Sequence, residues 1–163
     1  MEKEKIKFGL VVGRFQPLHD GHRHLIKMAI EENNEIVVCI GSAQKADPLT
    51  VEERQERLQN FMGSLNLADK KIKITNLEDV PSDEEWLSQL SEKINLDAHN
   101  KNTFYTADNL SEEYLNFMRK MSFNIKKIVR GSFKYKDPKG KEHSFFCATE
   151  IREIHKKFNL GKI

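Results

Sequence analysis

A chain of 163 residues with 38% apolar and 32% charged side chains is long enough for one folded domain, and its apolar residues recur in periodic runs that a disordered segment lacks. Lys and Arg number 27 against 25 Asp and Glu, and a net charge of +2 argues against an obligate nucleic-acid binder while leaving room for a local anion pocket. No apolar run is long enough to span a membrane, the N-terminal MEKEKIK lacks the apolar stretch of a secretion signal, and two cysteines cannot build a disulfide framework, so a cytoplasmic location with no membrane partner is expected.

The first strand is predicted at KFGLVVG (7–13). A polar turn follows, then a helical pattern from His22 to Asn33 that places Leu25, Ile26, Ala29 and Ile30 on one face. EIVVCIG (35–41) is the second strand, with Cys39 as core. Thr50 and Glu53 have the capping-box spacing ahead of Leu58, Phe61, Met62 and Leu65. KIKITNL (71–77) is the third strand, and Ser82 and Glu85 repeat the capping spelling before Trp86, Leu87, Leu90 and Ile94. NTFYTA (102–107) follows, then a helix capped by Ser111 with Leu115, Met118 and Met121, then IKKIVRG (125–131). In FKYKDPKGKEHSFF (133–146) the Asp-Pro-Lys-Gly centre reads as a turn and the flanks as a small hairpin, ahead of a last helix capped by Thr149 with Ile151, Ile154 and Phe158.

Strands alternating with helices of this length predict βαβ units. The expected architecture is α/β: a Rossmann-like, doubly wound, parallel five-stranded sheet forming a single domain over residues 1–163. In such sheets ligands bind beyond the carboxyl ends of the strands. The search for a site therefore starts at Gly13-Arg14, Gly41-Ser42, the acidic turn 77–83, Ala107-Asp108, Arg130-Gly131 and the start of the last helix.

The first of these ends carries the most chemistry. His19-Asp20-Gly21-His22 sets two imidazoles three residues apart at a helix N-terminus, where spare backbone N–H groups and the helix dipole favour an anion. Gly21 lets a ligand approach the backbone closely, and Arg14 adds a fixed positive charge. This is a phosphate cradle in outline. Zinc is the rival use of paired histidines, but it ordinarily spaces them differently and needs further ligands that are not nearby, so no protein-held metal is expected. His24 falls elsewhere on the helix and reads as a surface residue.

These residues carry a resemblance. His19-Asp20-Gly21-His22 matches the HxGH signature of the nucleotidyltransferase superfamily, and Gly13-Arg14-Phe15-Gln16-Pro17-Leu18-His19 is similar to the archaeal-type nicotinamide-nucleotide adenylyltransferases. Gly41-Ser42-Ala43-Gln44-Lys45, Pro48-Leu49-Thr50 and Glu53-Arg54 resemble that family's second segment, Leu77 to Val80 with Trp86 its substrate-side turn, and Ala148-Thr149-Glu150-Ile151-Arg152 its closing signature. The resemblance is nearly continuous from Phe8 to Arg54 and patchy beyond.

It implies transfer of AMP from ATP to nicotinamide mononucleotide (NMN), giving NAD and pyrophosphate. It implies catalytic roles for His19, His22, Arg14 and Arg152, and ATP contacts from Gly13, Phe15, Gln16, Gly21, Lys45 and Thr149. Gly41, Ser42, Asp83, Trp86 and Asp108 would face the nicotinamide nucleotide, Trp86 as a wall for the ring. Mg²⁺ would travel with ATP, and the resemblance leaves room for a homo-oligomer. Asp83 and Asp108 stand where the family commonly has asparagine, Glu153 where it has a further arginine, Cys147 where it has a small hydroxyl residue, and the loop between Lys45 and Pro48 is short. Two readings compete with NMN transfer: a related adenylyltransferase acting on phosphopantetheine or FMN, and a nucleotide sensor without turnover.

Overall fold

The computed structural model describes residues 7–67, 69–94, 101–106, 112–127, 133–145 and 148–163. Five strands, β1 (Lys7–Gly13), β2 (Glu35–Ile40), β3 (Lys71–Asn76), β4 (Lys101–Thr106) and β5 (Phe123–Lys127), pair in parallel in the order β3-β2-β1-β4-β5. The helices between them are α1 (Asp20–Glu32), α2 (Val51–Gly63), α3 (Asp83–Lys93) and α4 (Glu112–Lys120). This is the doubly wound order expected of a Rossmann-like sheet, and its direction reverses between β1 and β4.

Both faces of the sheet are covered, which explains why its inner strands read as continuous apolar runs rather than alternating ones. Successive side chains still go to opposite sides. Val11, Ile36, Val38 and Ile40 pack with Leu25, Ile26, Ala29 and Ile30 of α1 and with Leu58 and Met62 of α2. Phe8, Leu10, Val37, Cys39 and Phe104 pack with Leu90 of α3 and Met118 of α4 on the other side. Burying each of these large side chains contributes about 1.5–3 kcal/mol before chain entropy is subtracted. Cys39 is fully buried, and its thiol is pushed up to about 12 by desolvation.

Some local boundaries differ from the sequence expectation, while the expected hairpin is present. β5 begins at Phe123, two residues before the predicted strand, because Phe123 supplies an apolar side chain to the second core; residues 128–131 lie outside the described residues. The segment 133–146 contains an antiparallel hairpin of β6 (Phe133–Lys136) and β7 (Glu142–Phe145). Its turn is held by Asp137, whose carboxylate accepts from the amides of Lys139 and Lys141 and pairs with His143 Nε2 at 2.7 Å, while Gly140 takes a left-handed φ of 88°. The last helix, α5 (Ala148–Lys157), starts before Thr149, which lies inside its first turn instead of capping it. Tyr135 of β6 bonds His155 of α5, so the hairpin is docked on that helix. Ser111, the expected cap of α4, lies outside the described residues.

Candidate functional site

A cavity of about 590 Å³ opens at the carboxyl ends of the strands, across the point where the sheet order reverses. Its size is that of a small-molecule site, for which about 300–1,000 Å³ is usual. Gly13 and Gly41 line it from the ends of β1 and β2, Phe104 and Thr106 from β4. No described helix is long and apolar enough to cross a membrane.

His19 is the N-cap of α1, a position usually held by Ser, Thr, Asp or Asn. Its Nδ1 accepts from the amides of Gly21 at 3.0 Å and His22 at 3.3 Å, which leaves its ring hydrogen on Nε2. His22 Nδ1 faces the His19 amide in turn at 3.4 Å, so the two imidazoles form a reciprocal capping box. Burial, then the neighbouring His19 and Arg23, hold the His22 imidazole well below its usual value, the Pro17 carbonyl offsetting part of this. His22 is therefore neutral at pH 7. His24 is exposed, as its position on the helix predicts.

The loop after β1 is bound to the rest of the site from several directions. Phe15 is buried in the left-handed region at φ 53°, with its ring edge-on to His22 at 4.8 Å between centroids. A Cβ added to Gly13 would stand 3.0 Å from that ring, which is why glycine ends the strand. Gln16 is buried and lines the cavity, but its side-chain oxygen is taken by the Leu49 amide at 3.0 Å. Across the cavity, Arg152 of α5 donates to the Gln16 carbonyl at 2.7 Å and to the Thr149 hydroxyl at 2.9 Å. The last helix thus joins the first loop, 136 residues apart in sequence.

The other end of the cavity is aromatic and acidic. Trp86 and Tyr114 lie 5.5 Å apart between centroids, and Phe104 stands 6.2 Å from Tyr114. Trp86 both lines the cavity and packs against the second core, two faces of one side chain. Asp83 lines this end from the first turn of α3, exposed. Ser42, left-handed at φ 50°, donates from its hydroxyl to Asp79 at 2.8 Å, and Gln44 bonds both main-chain groups of Asp79, tying the loops after β2 and β3 together.

The structure brings Gly13, Arg14, Phe15, Gln16, His19, Gly21, His22, Gly41, Ser42, Asp83, Trp86, Thr149 and Arg152 to this one cavity. Lys45 is the exception: it is exposed, outside the lining and 3.4 Å from Asp79, which is itself on the cavity wall. Asp108 and Cys147 lie outside the described residues. Sequence reading passed over Phe104, Thr106 and Tyr114, whose apolar or β-branched character reads as core. It named Arg54 only within the resemblance and gave it no role, although the side chain is buried beneath both loops. Among the described residues no group of three His, Cys, Asp or Glu is arranged to hold a metal ion.

Over 96 residues the chain is 32% identical to a nicotinamide/nicotinic acid mononucleotide adenylyltransferase of Acinetobacter baylyi, a match covering 56% of this chain and 50% of that protein. It is 36% identical over 85 residues to a nicotinamide-nucleotide adenylyltransferase of Aeropyrum pernix, covering 50% of this chain and 49% of that protein. The chain spans about half the length of these curated relatives. Among solved structures, a bifunctional NMN adenylyltransferase/ADP ribose pyrophosphatase of Francisella tularensis, complexed with AMP and a manganese ion, superposes with a TM-score of 0.71 at 19% identity, over 93% of this chain and 42% of that one, and so shares the fold. The cytidylyltransferase-like family profile matches residues 10–161, and the chain belongs to that family.

Proposed function

We propose that the protein transfers AMP from ATP to nicotinamide mononucleotide, giving NAD and pyrophosphate. One observation carries this reading: two stacked imidazoles at the start of α1 share a cavity with the start of α5 and its Arg152, and an aromatic wall closes the other end. The names of the relatives from Acinetobacter baylyi and Aeropyrum pernix support the acceptor.

The chemistry asks little of the protein beyond placement. The mononucleotide's 5′-phosphate is already an anion at pH 7, so no general base is required. One of its oxygens attacks the α-phosphorus of ATP in line, and the bond from that phosphorus to the bridging oxygen breaks, releasing pyrophosphate with its electron pair. His19 and His22 donate ring N–H groups to the α-phosphate and the bridging oxygen, and Arg14 adds fixed charge. Thr149, Arg152 and the N-terminal end of α5 hold the β- and γ-phosphates. Donors fixed before the reaction need no reorganisation as charge moves, and each is worth about 3–4 kcal/mol in the transition state. Lys45 pairs with Asp79 outside the cavity lining. Mg²⁺ comes as Mg·ATP, held by phosphate oxygens and water. At the other end Trp86 flanks the pyridine ring, with Asp83 near its substituent.

Pyrophosphate release from ATP, measured with NMN, nicotinic acid mononucleotide, phosphopantetheine and FMN, tests the proposal. Release with NMN supports it. Release with only phosphopantetheine or FMN moves the chain to another acceptor, and ATP binding without release makes it a sensor. Quenching of Trp86, the only tryptophan, by NMN alone reports on the wall.

A further inference from the structure

We infer that Arg54 is a positioning residue of this site: its guanidinium holds the two left-handed residues, Phe15 and Ser42, and through Phe15 sets the orientation of the His22 ring. The inference relies on the proposed role of His22 only where it predicts turnover.

Arg54 is fully buried, which is rare for an arginine, and among the described residues no carboxylate pairs with it. Its partners are main-chain carbonyls instead. Nε donates to Thr50, Nη1 to Arg14 at 3.1 Å and Gly41 at 3.0 Å, and Nη2 to Ser42 at 3.2 Å and Lys45 at 2.7 Å. A charge removed from water survives only where such dipoles replace the solvent, and the carbonyls likewise depend on its donors.

The choice of carbonyls points to the purpose. The Arg14 carbonyl belongs to the peptide unit entering Phe15, and the Ser42 carbonyl to the unit leaving Ser42. These residues have φ 53° and 50°, a region that side-chain-bearing residues occupy only when their surroundings hold them there. Freed of the guanidinium, each peptide unit can turn back to ordinary φ. The Phe15 ring would then leave its place under Gly13 and edge-on to His22. Arg54 itself does not line the cavity; it acts through two loops that meet there. Lysine cannot substitute, because one ammonium cannot span carbonyls on both loops as a planar fork does.

The test compares wild type with Arg54→Lys, using as control Tyr105→Phe, which disturbs the buried Asn33 network outside the cavity. Without any nucleotide, NMR titration of the His22 imidazole is expected to move toward the ordinary histidine value in Arg54→Lys. Amide exchange at Phe15, Ser42 and Ala43 should accelerate while β4 amides stay protected, and Tyr105→Phe should change neither readout. With Mg·ATP and NMN, kcat should fall about 10²-fold, as a misplaced reacting group produces, and KM should change less. A folded Arg54→Lys protein whose His22 titration and loop exchange match wild type would overturn the inference. If the ligand-free changes occur but wild type shows no turnover, the functional reading fails and the positioning role stands. Should Arg54→Lys not fold, the wild-type Arg54 Nη protons decide: slow exchange, with shifts that follow the His22 titration, supports the coupling, and insensitivity to it refutes it.

Discussion

The rings of His19 and His22 stack 3.7 Å apart with 19° between their planes, so the residue that caps α1 also stands in the cleft. Capping and catalysis are separable by substitution. Serine caps helices well but carries no imidazole. His19→Ser is therefore expected to keep most of its stability, losing about 1 kcal/mol or less from the cap, while pyrophosphate release falls about 10²- to 10³-fold. His22→Ala should lose turnover on the same scale. A variant that loses stability and keeps turnover would reduce the imidazoles to a cap.

The low proton affinity of native His22 fixes a sign for stability against pH. Unfolded, this residue takes up a proton as pH falls through about 6.5, whereas the folded protein resists until lower pH. Between those values the unfolded state binds more protons, so stability is level above about pH 7 and declines below about 6.5, by at most about 1.4 kcal/mol per pH unit for one proton. The carboxylates with lowered values, Glu53 and Asp137, lose their contribution only below their ordinary values of 4.5 and 3.8, a separate window. Urea unfolding of wild type and His22→Gln at pH 8, 6 and 5 checks this: the variant should lack the decline between 8 and 5, and parallel curves would exclude His22 as its cause.

The elements and the imidazole end of the cavity were legible because each has a local signature: short β-branched or aromatic runs, capping spellings at Thr50 and Ser82, and imidazoles following a glycine-terminated strand. Tyr114 and Phe104 were not, since a cavity wall and a core use the same residue types and only tertiary packing separates them. Nor was the place of Lys45, which pairs at 3.4 Å with Asp79 of another loop, outside the lining. Arg54 was named only within the resemblance, without a role: its partners are carbonyls, and carbonyls leave no mark on a sequence.

Gly9 in the central strand is a steric requirement. A Cβ there would lie 2.7 Å from Asn33 Nδ2, which is fixed by bonds of 2.7 Å to both the Ala29 carbonyl and the Tyr105 hydroxyl. Gly9→Ala must displace that amide, and a loss of about 1–3 kcal/mol is expected, as for other overpacked cores. In an Asn33→Ala background the same substitution should cost much less. Urea denaturation of the four proteins measures the coupling; strictly additive losses would show that Asn33 is not what excludes the methyl group.

Acceptor choice is expected to depend on Asp83. Ser82 caps α3 by accepting from the Glu85 amide at 3.2 Å, which leaves the Asp83 carboxylate unneeded for the cap and on the cavity wall. Near a pyridine substituent it accepts from a carboxamide NH₂ and repels a carboxylate. Two like charges about 4 Å apart repel by about 1 kcal/mol in water and about 4 kcal/mol at a partly desolvated surface. The exposure of Asp83 favours the lower figure. Asp83→Asn removes the charge at nearly constant shape, so kcat/KM for nicotinic acid mononucleotide relative to NMN should rise about tenfold, equivalent to about 1.4 kcal/mol. Melting should change little, because Glu84 and Glu85 still complement the helix dipole. An unchanged ratio in a variant that still turns over would mean that Asp83 does not face the acceptor substituent, and that the preference is set by another wall of the cavity.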